Sequence, residues 1–389
     1  MAGAAQAQID DIEKPRRLPP LRVLAVQALI VAAIAGIAWF LIATTLSNLN
    51  ARGITTGFAF LRTPLAQPIN HSWLTFTPGV DTYGRALFIG FLNTLTVSAV
   101  VIVLSTILGT AIGLSRLSGN WLLSRTAGAY VEATRNVPVL VQLVFWYQLL
   151  LQLPPPRGAL DLGAGVFVSN RGIRVPTVLL DGHVWLALAA GIAAAIVLPP
   201  LLRRAGLSRS GGMWTLRLLL VVVPPLAAIW LTGAAPALDW PHLQGLNFRG
   251  GAALTPELSA LVIGLTAYTS AFIAEIVRAG IQGVPVGQWD AARSLGLHRG
   301  TTVRKVVMPQ ALRIIVPPLA SEYLGVTKNS SLAVAVGYPD IVALVNVAIS
   351  DTGQAIEGIV IIMLAFLTIS LAVSAFMNWY NRRVALVSR

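Results

Sequence analysis

The chain is dominated by apolar runs at or near the ~20 residues needed to cross a bilayer. They cover residues 23–46, 86–115, 137–153, 184–202, 218–235 and 257–280, a broken run from about Ala311, and 356–377. In hydrocarbon every backbone N–H and C=O needs an internal partner, so such runs form helices. Unbroken apolar runs also argue against a β-barrel, whose strands alternate. Composition agrees: 56% of residues are hydrophobic and 11% charged, where a soluble domain carries about 25% charged residues. The first run is longer than the ~7–15-residue core of a signal peptide and is read as a retained span. The expectation is an all-α integral membrane protein of about eight transmembrane helices. Residues 47–85 and 154–182, rich in Pro, Gly, Asn and Thr, read as long outer loops.

Basic residues orient the spans, because Lys and Arg collect in cytoplasmic segments. With the N-terminus inside, Arg16, Arg17 and Arg22 precede the first span. Arg116, Arg125 and Arg135 follow the second, Arg203, Arg204, Arg209 and Arg217 follow the fourth, and Arg299, Arg304 and Lys305 follow the sixth. Outer segments hold fewer, among them Arg52, Arg62 and Arg85. Both termini are therefore expected in the cytoplasm. The net charge of +13 reflects topology on this reading, and no nucleic-acid partner is expected.

Several chemistries are missing. There are no cysteines, and the histidines are His71, His183, His242 and His298, far apart and without ligand spacing, so no metal or cofactor is expected. No Ser/His/Asp or paired-carboxylate arrangement occurs, and no catalytic residue is assigned. The three lysines, Lys14, Lys305 and Lys328, follow Glu, Arg and Thr. None fits a P-loop. Energy for transport would have to come from another chain or from an ion gradient.

One polar stretch stands out: WDAARSLGLHRGTTVRKVVMPQAL, 289–312. Pro285 and Gly287 end the sixth span, and Asp290 suits the start of a new helix. Ala291, Ala292, Leu295 and Leu297 give that helix small and apolar positions. Gly296 permits a sharp exit or a close backbone approach, and a basic run then ends at Pro309. A loop lying on anionic lipid accounts for Arg299, Arg304 and Lys305. A helix seated in a protein groove accounts for the small residues and the glycine.

This stretch resembles the EAA motif of ABC importer permeases: Glu-Ala-Ala, three residues, Gly, nine residues, then Ile-x-Leu-Pro. It matches as Asp290-Ala291-Ala292, Gly296 and Val306-Val307-Met308-Pro309, with Asp for Glu, Val for Ile and Met for Leu. Further stretches are similar to the polar amino acid permease family, within it to general L-amino acid permease subunits of the AapQ or BztB type. They are GFLNTLTVSAVVIVLSTILGTAIGLSRLS (90–118), VEATRNVPVLVQLVFWY (131–147), YTSAFIAEIVRAGIQGVPVGQWDAARSLGL (268–297), LGVTKNSSLAVAVGYPDI (324–341) and MNWYNRRVAL (377–386).

The resemblance implies a MetI-like ABC importer permease core with an added helix pair. The layout is a cytoplasmic tail 1–22, a first span and outer loop 23–82, and a permease domain 83–383. Within that domain the pair lies at about 184–235 and a cytoplasmic coupling loop at 282–309; a tail, 384–389, follows. It implies a multi-pass protein of the bacterial inner membrane that forms the path of an ATP-driven L-amino acid importer and is not itself an enzyme. Its partners would be a cytoplasmic ABC ATPase dimer, a second related permease subunit, a periplasmic amino acid-binding protein and the lipid bilayer. Asp290, Ala291, Ala292, Arg293, Gly296 and Pro309 would carry coupling to the ATPase. An ion-coupled secondary amino acid carrier is the alternative.

Charges inside spans are costly and mark function, so Glu275, Glu322, Lys328, Asn329 and Ser330 are candidates for the substrate path. The plainer readings are an ion pair of Glu275 with Arg278, a Lys328 that snorkels to the interface, and Asn329–Ser331 capping a helix. Pro317 and Pro318 are expected to break the seventh span.

Overall fold

A computed structural model describes residues 21–51, 53, 56–179, 182–204, 213–233 and 237–384; the expected tails up to residue 20 and from 385 lie outside them. The helices are α1 (Leu21–Ala51), α2 (Tyr83–Arg116), α3 (Trp121–Asn136), α4 (Val139–Leu151), α5 (Gly182–Arg204) and α6 (Met213–Thr232). They continue with α7 (Pro256–Gln282), α8 (Val286–Ser294), α9 (Arg299–Thr302), α10 (Met308–Asn329), α11 (Ile341–Thr352) and α12 (Ala355–Val384). Among the described residues, 6 helices are long and apolar enough to cross a membrane, or up to 7 if a pair bent by 52° is counted as one span.

The bundle is built around α2 and α7. Gly109 and Gly113 let these two helices approach closely. A Cβ on Gly109 would lie 2.7 Å from the Ile273 Cβ, and one on Gly113 would lie 2.7 Å from the Ala274 carbonyl. Small residues at such a crossing bring backbones together where lipid supplies no hydrophobic drive. Val97, Val101, Leu143, Leu261, Leu265 and Tyr338 form the core at one level of the bundle. Ile273, Val277, Val307, Ala311 and Ile315 form it at the other.

The expected third span, 137–153, is the 13-residue helix α4. At 1.5 Å per residue it is about 20 Å long, short of the ~30 Å of hydrocarbon. It is preceded by α3, which the hydropathy pattern does not mark because its apolar content is low. Pro138 separates the two helices. Tyr130 on α3 donates to the Ala267 carbonyl at 2.8 Å, Leu143 packs against Gly264, and the Tyr147 hydroxyl is 3.4 Å from Glu257. The chain from Trp121 to Leu151 thus climbs antiparallel to α7, over roughly 45 Å.

Pro317 and Pro318 do not break the seventh span, because α10 runs through them without interruption. Pro199-Pro200 and Pro224-Pro225 likewise lie inside α5 and α6. Neighbouring helices and local adjustments re-satisfy the freed carbonyls. The break comes later. A 3₁₀ segment, Ser330–Val336, ends at Gly337 with φ +77°, and the chain turns by 52° into α11.

Residues 154–182, expected to be a loop, contain short strands, and so do residues 237–254. These are β1 (Leu160–Asp161), β2 (Phe167–Ser169), β3 (Gly172–Val175), β4 (Thr177–Leu179), β5 (Ala237–Asp239), β6 (His242–Gln244), β7 (Asn247–Arg249) and β8 (Ala252–Leu254). β1, β2, β3 and β8 form one antiparallel sheet, with Ile173 opposite Leu254. β4 and β5 pair as Thr177 with Asp239. Outside lipid, polar chain with frequent glycine turns gains more by pairing its backbone than by staying irregular. The β4–β5 ladder holds together the chain entering α5 and the chain leaving α6, so this helix pair hangs from the strands at that end.

Candidate functional site

The polar stretch folds as an elbow between α7 and α10. Pro285 occupies the N-cap of α8, with no hydrogen bond from its side chain. Asp290 is therefore in mid-helix and does not cap it, contrary to the sequence expectation. Its carboxylate sits 3.5 Å from Arg293, with 60% and 76% of the two side chains exposed. A pair this open contributes at most about 1 kcal/mol.

The end of α8 is a Schellman motif. The N–H of Gly296 donates to the Arg293 carbonyl at 2.9 Å and that of Leu297 to the Ala292 carbonyl at 3.1 Å. Gly296 has φ +68°, the left-handed conformation this stop requires. A Cβ there would meet nothing within 4 Å. The glycine thus serves the turn, and no close backbone approach requires it.

The elbow has two faces. Trp289 packs against the buried cluster that includes Val277, Val284, Val307 and Ala311, and Ala292 is buried. Gln310 on α10 donates to Gln288 at 3.2 Å. The other face presents Asp290, Ala291 and Arg293 to the outside. Val286 and Leu295 are 71% and 78% exposed. A π-helical turn, Val303–Val307, links α9 to α10, where Pro309 sits in the first turn. Pro309 lacks an N–H at a position where none is needed. It starts α10 and lies outside α8.

The residues assigned to a substrate path do not converge. Glu275 on α7 is held by Arg278, whose Nε lies 3.2 and 3.3 Å from its oxygens, and by Arg116 from α2. Glu322 is half-buried on α10 and lies in the field of Arg135 on α3. Lys328 is exposed. Six residues on a helix amount to about 240° of rotation, so Lys328 and Glu322 point to different sides. Ser330 is buried and its hydroxyl donates to the Thr327 carbonyl at 2.7 Å. Asn329 is half-buried beside it.

Arg135 was counted with the inner loops, but its guanidinium lies 5.0 Å from the centre of the Phe272 ring. Phe272 is about 15 Å along α7 from Gln282, and the Arg135 side chain beside it is exposed. The signal available in the sequence was its place in the TRNVP stretch just ahead of Pro138.

A second polar site, at the bend before α11, was not anticipated. Asn93 on α2 is buried and donates to the carbonyls of His71 (3.0 Å) and Pro339 (2.9 Å). Thr94 accepts from the Ile341 N–H at 3.1 Å. Asp340 caps α11 through the Ala343 N–H at 2.8 Å. The His71 and Tyr338 rings are 5.5 Å apart. Burial lowers the His71 pKa, and Glu257 partly offsets this. Nothing but composition distinguishes these residues in the sequence.

Residues 101–386 match the family described as "Binding-protein-dependent transport system inner membrane component". The chain is 48% identical over 379 residues to the putative amino-acid ABC transporter permease protein YhdX of Escherichia coli, covering 95% of this chain and 96% of that one. It is 40% identical over 379 residues to the general L-amino acid transport system permease protein AapQ of Rhizobium johnstonii, with 95% and 94% covered. It is 36% identical over 395 residues to the glutamate/glutamine/aspartate/asparagine transport system permease protein BztB of Rhodobacter capsulatus, with 92% of each covered.

Proposed function

The chain belongs to the binding-protein-dependent transport system inner membrane components, and from that membership we propose how it divides labour with its partners. It is the permease subunit of an ABC importer that moves L-amino acids, and α2, α7, α10 and α12 build its path. A separate cytoplasmic ATPase dimer grips the open face of the elbow. Asp290, Ala291 and Arg293 make the contact, Leu295 anchors it, Ala292 on the buried side holds α8 to the bundle, and Gly296 and Pro309 set the angles on either side. A second, related permease subunit completes the path. A periplasmic amino acid-binding protein docks on the outer sheets. Both termini lie in the cytoplasm.

The observation that carries this reading is the asymmetry of α8. One side is locked to the bundle through Trp289 and Ala292, so a push on the other side is transmitted to α7 and α10. The open side leaves an aliphatic side chain, Leu295, 78% exposed, as a hydrophobic anchor for a groove. Relatives named as amino acid permeases support the substrate class. Within the path, Arg135 and Glu322 offer opposite charges to a zwitterion from two helices.

The test is Leu295→Asp in the reconstituted complex. The variant is expected to reach the membrane at the normal level, to lose co-purifying ATPase, and to lose ATP-driven uptake by at least about tenfold, the equivalent of one buried hot spot. Normal uptake by the variant rejects the coupling surface. Accumulation of amino acid by the isolated chain, driven by an ion gradient alone, supports the secondary-carrier alternative.

A further inference from the structure

One recess, away from the elbow's open face, is not used by that mechanism. It has a volume of about 590 Å³ and is lined by Arg116 at the end of α2, Trp121 and Arg125 on α3, and Arg278 and Gln282 at the end of α7. Arg116 and Arg278 share the single carboxylate of Glu275, so that triad keeps a net positive charge. Arg125 makes no ion pair among the described residues. Glu132 is the carboxylate on the wall of the recess. At Gly128, which also lines it, an added Cβ would meet nothing within 4 Å. The recess is open and bordered by three guanidiniums, the side chain whose planar fork fits phosphate oxygens.

Its position selects the ligand. Arg116 and Gln282 are the last residues of two helices long and apolar enough to cross a membrane, so the recess lies at one end of the bundle. Beside it, the first turn of α3 exposes Trp121 (75%) and Leu122 (62%). Indole rings settle at headgroup depth. We propose that this recess holds the phosphate of an anionic phospholipid headgroup, with the acyl chains lying along Trp121 and Leu122. The proposal rests on the cytoplasmic placement of this end, where anionic lipids attract basic side chains. A soluble phosphate offers the same oxygens but nothing for the exposed apolar turn to meet.

The experiment is native mass spectrometry of the whole purified transporter in mixed micelles of phosphatidylglycerol and phosphatidylethanolamine. Phosphatidylglycerol is expected to remain bound in preference, and excess inorganic phosphate is expected to leave it in place. Arg125→Gln lowers its occupancy roughly tenfold, the loss of one charge-assisted contact. Gly128→Leu fills the recess without changing charge and does the same. Equal retention of the two lipids, or wild-type occupancy in both variants, overturns the proposal. Displacement by inorganic phosphate makes it a soluble-anion site and also overturns it. Loss of retention on removing the ATPase assigns the recess to a protein contact, with the same consequence. Uptake is measured on the same preparation. A complex that transports but retains no phosphatidylglycerol rejects the lipid site and leaves the permease reading standing. One that retains the lipid but fails to transport upholds the site and breaks that reading.

Discussion

The elbow and the bend before α11 are both interruptions of helical spans, yet they are built on opposite principles. The elbow presents its polar groups outward: Asp290 and Arg293 pair loosely in solvent, and Gly296 sits in open space. The bend turns its polar groups inward: Asn93, Tyr338 and Asp340 are buried, and Asn93 bridges two carbonyls from separate segments. A surface meant for a partner contributes little to the fold of its own chain, whereas a bend made inside a bundle must satisfy its own freed backbone. Stability and transport should therefore separate between the two regions.

The sharpest way to break this contrast is Asn93→Leu. It strands the carbonyls of His71 and Pro339 in a dry environment, at a cost of about 2–4 kcal/mol. The expected result is a lower thermal midpoint for the detergent-solubilised complex, with uptake falling only as far as the folded fraction falls. An unchanged midpoint removes the bend's structural role. Next in size is Gly296→Val, which forces a β-branched residue to φ near +68° and costs about 1–2 kcal/mol locally. Here uptake is expected to fall far more than stability, because the exit angle of α8 changes while the bundle does not. A proportional loss of both would erase the distinction.

The smallest effect is a pH dependence confined to the bend. Burial keeps His71 below its ordinary pKa, so the unfolded chain binds more protons as pH falls below about 6.5. The stability from the buried neutral ring is fully present above that value and is lost as pH drops toward the lowered one. Thermal midpoints measured from pH 7.5 to 5 should fall less steeply for His71→Asn than for the parent. Parallel curves would show that the ring does not report on the bend.

Much of this architecture was readable before any coordinates. The apolar runs located the spans at 86–115, 257–280 and 356–377 because a helix in lipid needs little beyond length and hydropathy. The elbow was readable because Pro285, Ala291, Ala292 and Gly296 each impose a local geometry. The sequence does not tell that Arg135 lies beside Phe272 and in the field of Glu322, because those neighbours come from α7 and α10. α3 escaped because it is weakly apolar and gains its place from Tyr130 and Val131 against α7.

By itself the amino-acid order determined that this chain must live in a bilayer, where its helices run, and that a polar helical turn must emerge between two of them, since hydropathy and glycine or proline conformation act over a few residues. Only the tertiary structure decided where the seventh span bends, which charges meet, and which face of α8 is free. Pro317 and Pro318 show why: whether a proline pair breaks a helix depends on the groups packed around it, and those come from distant parts of the chain.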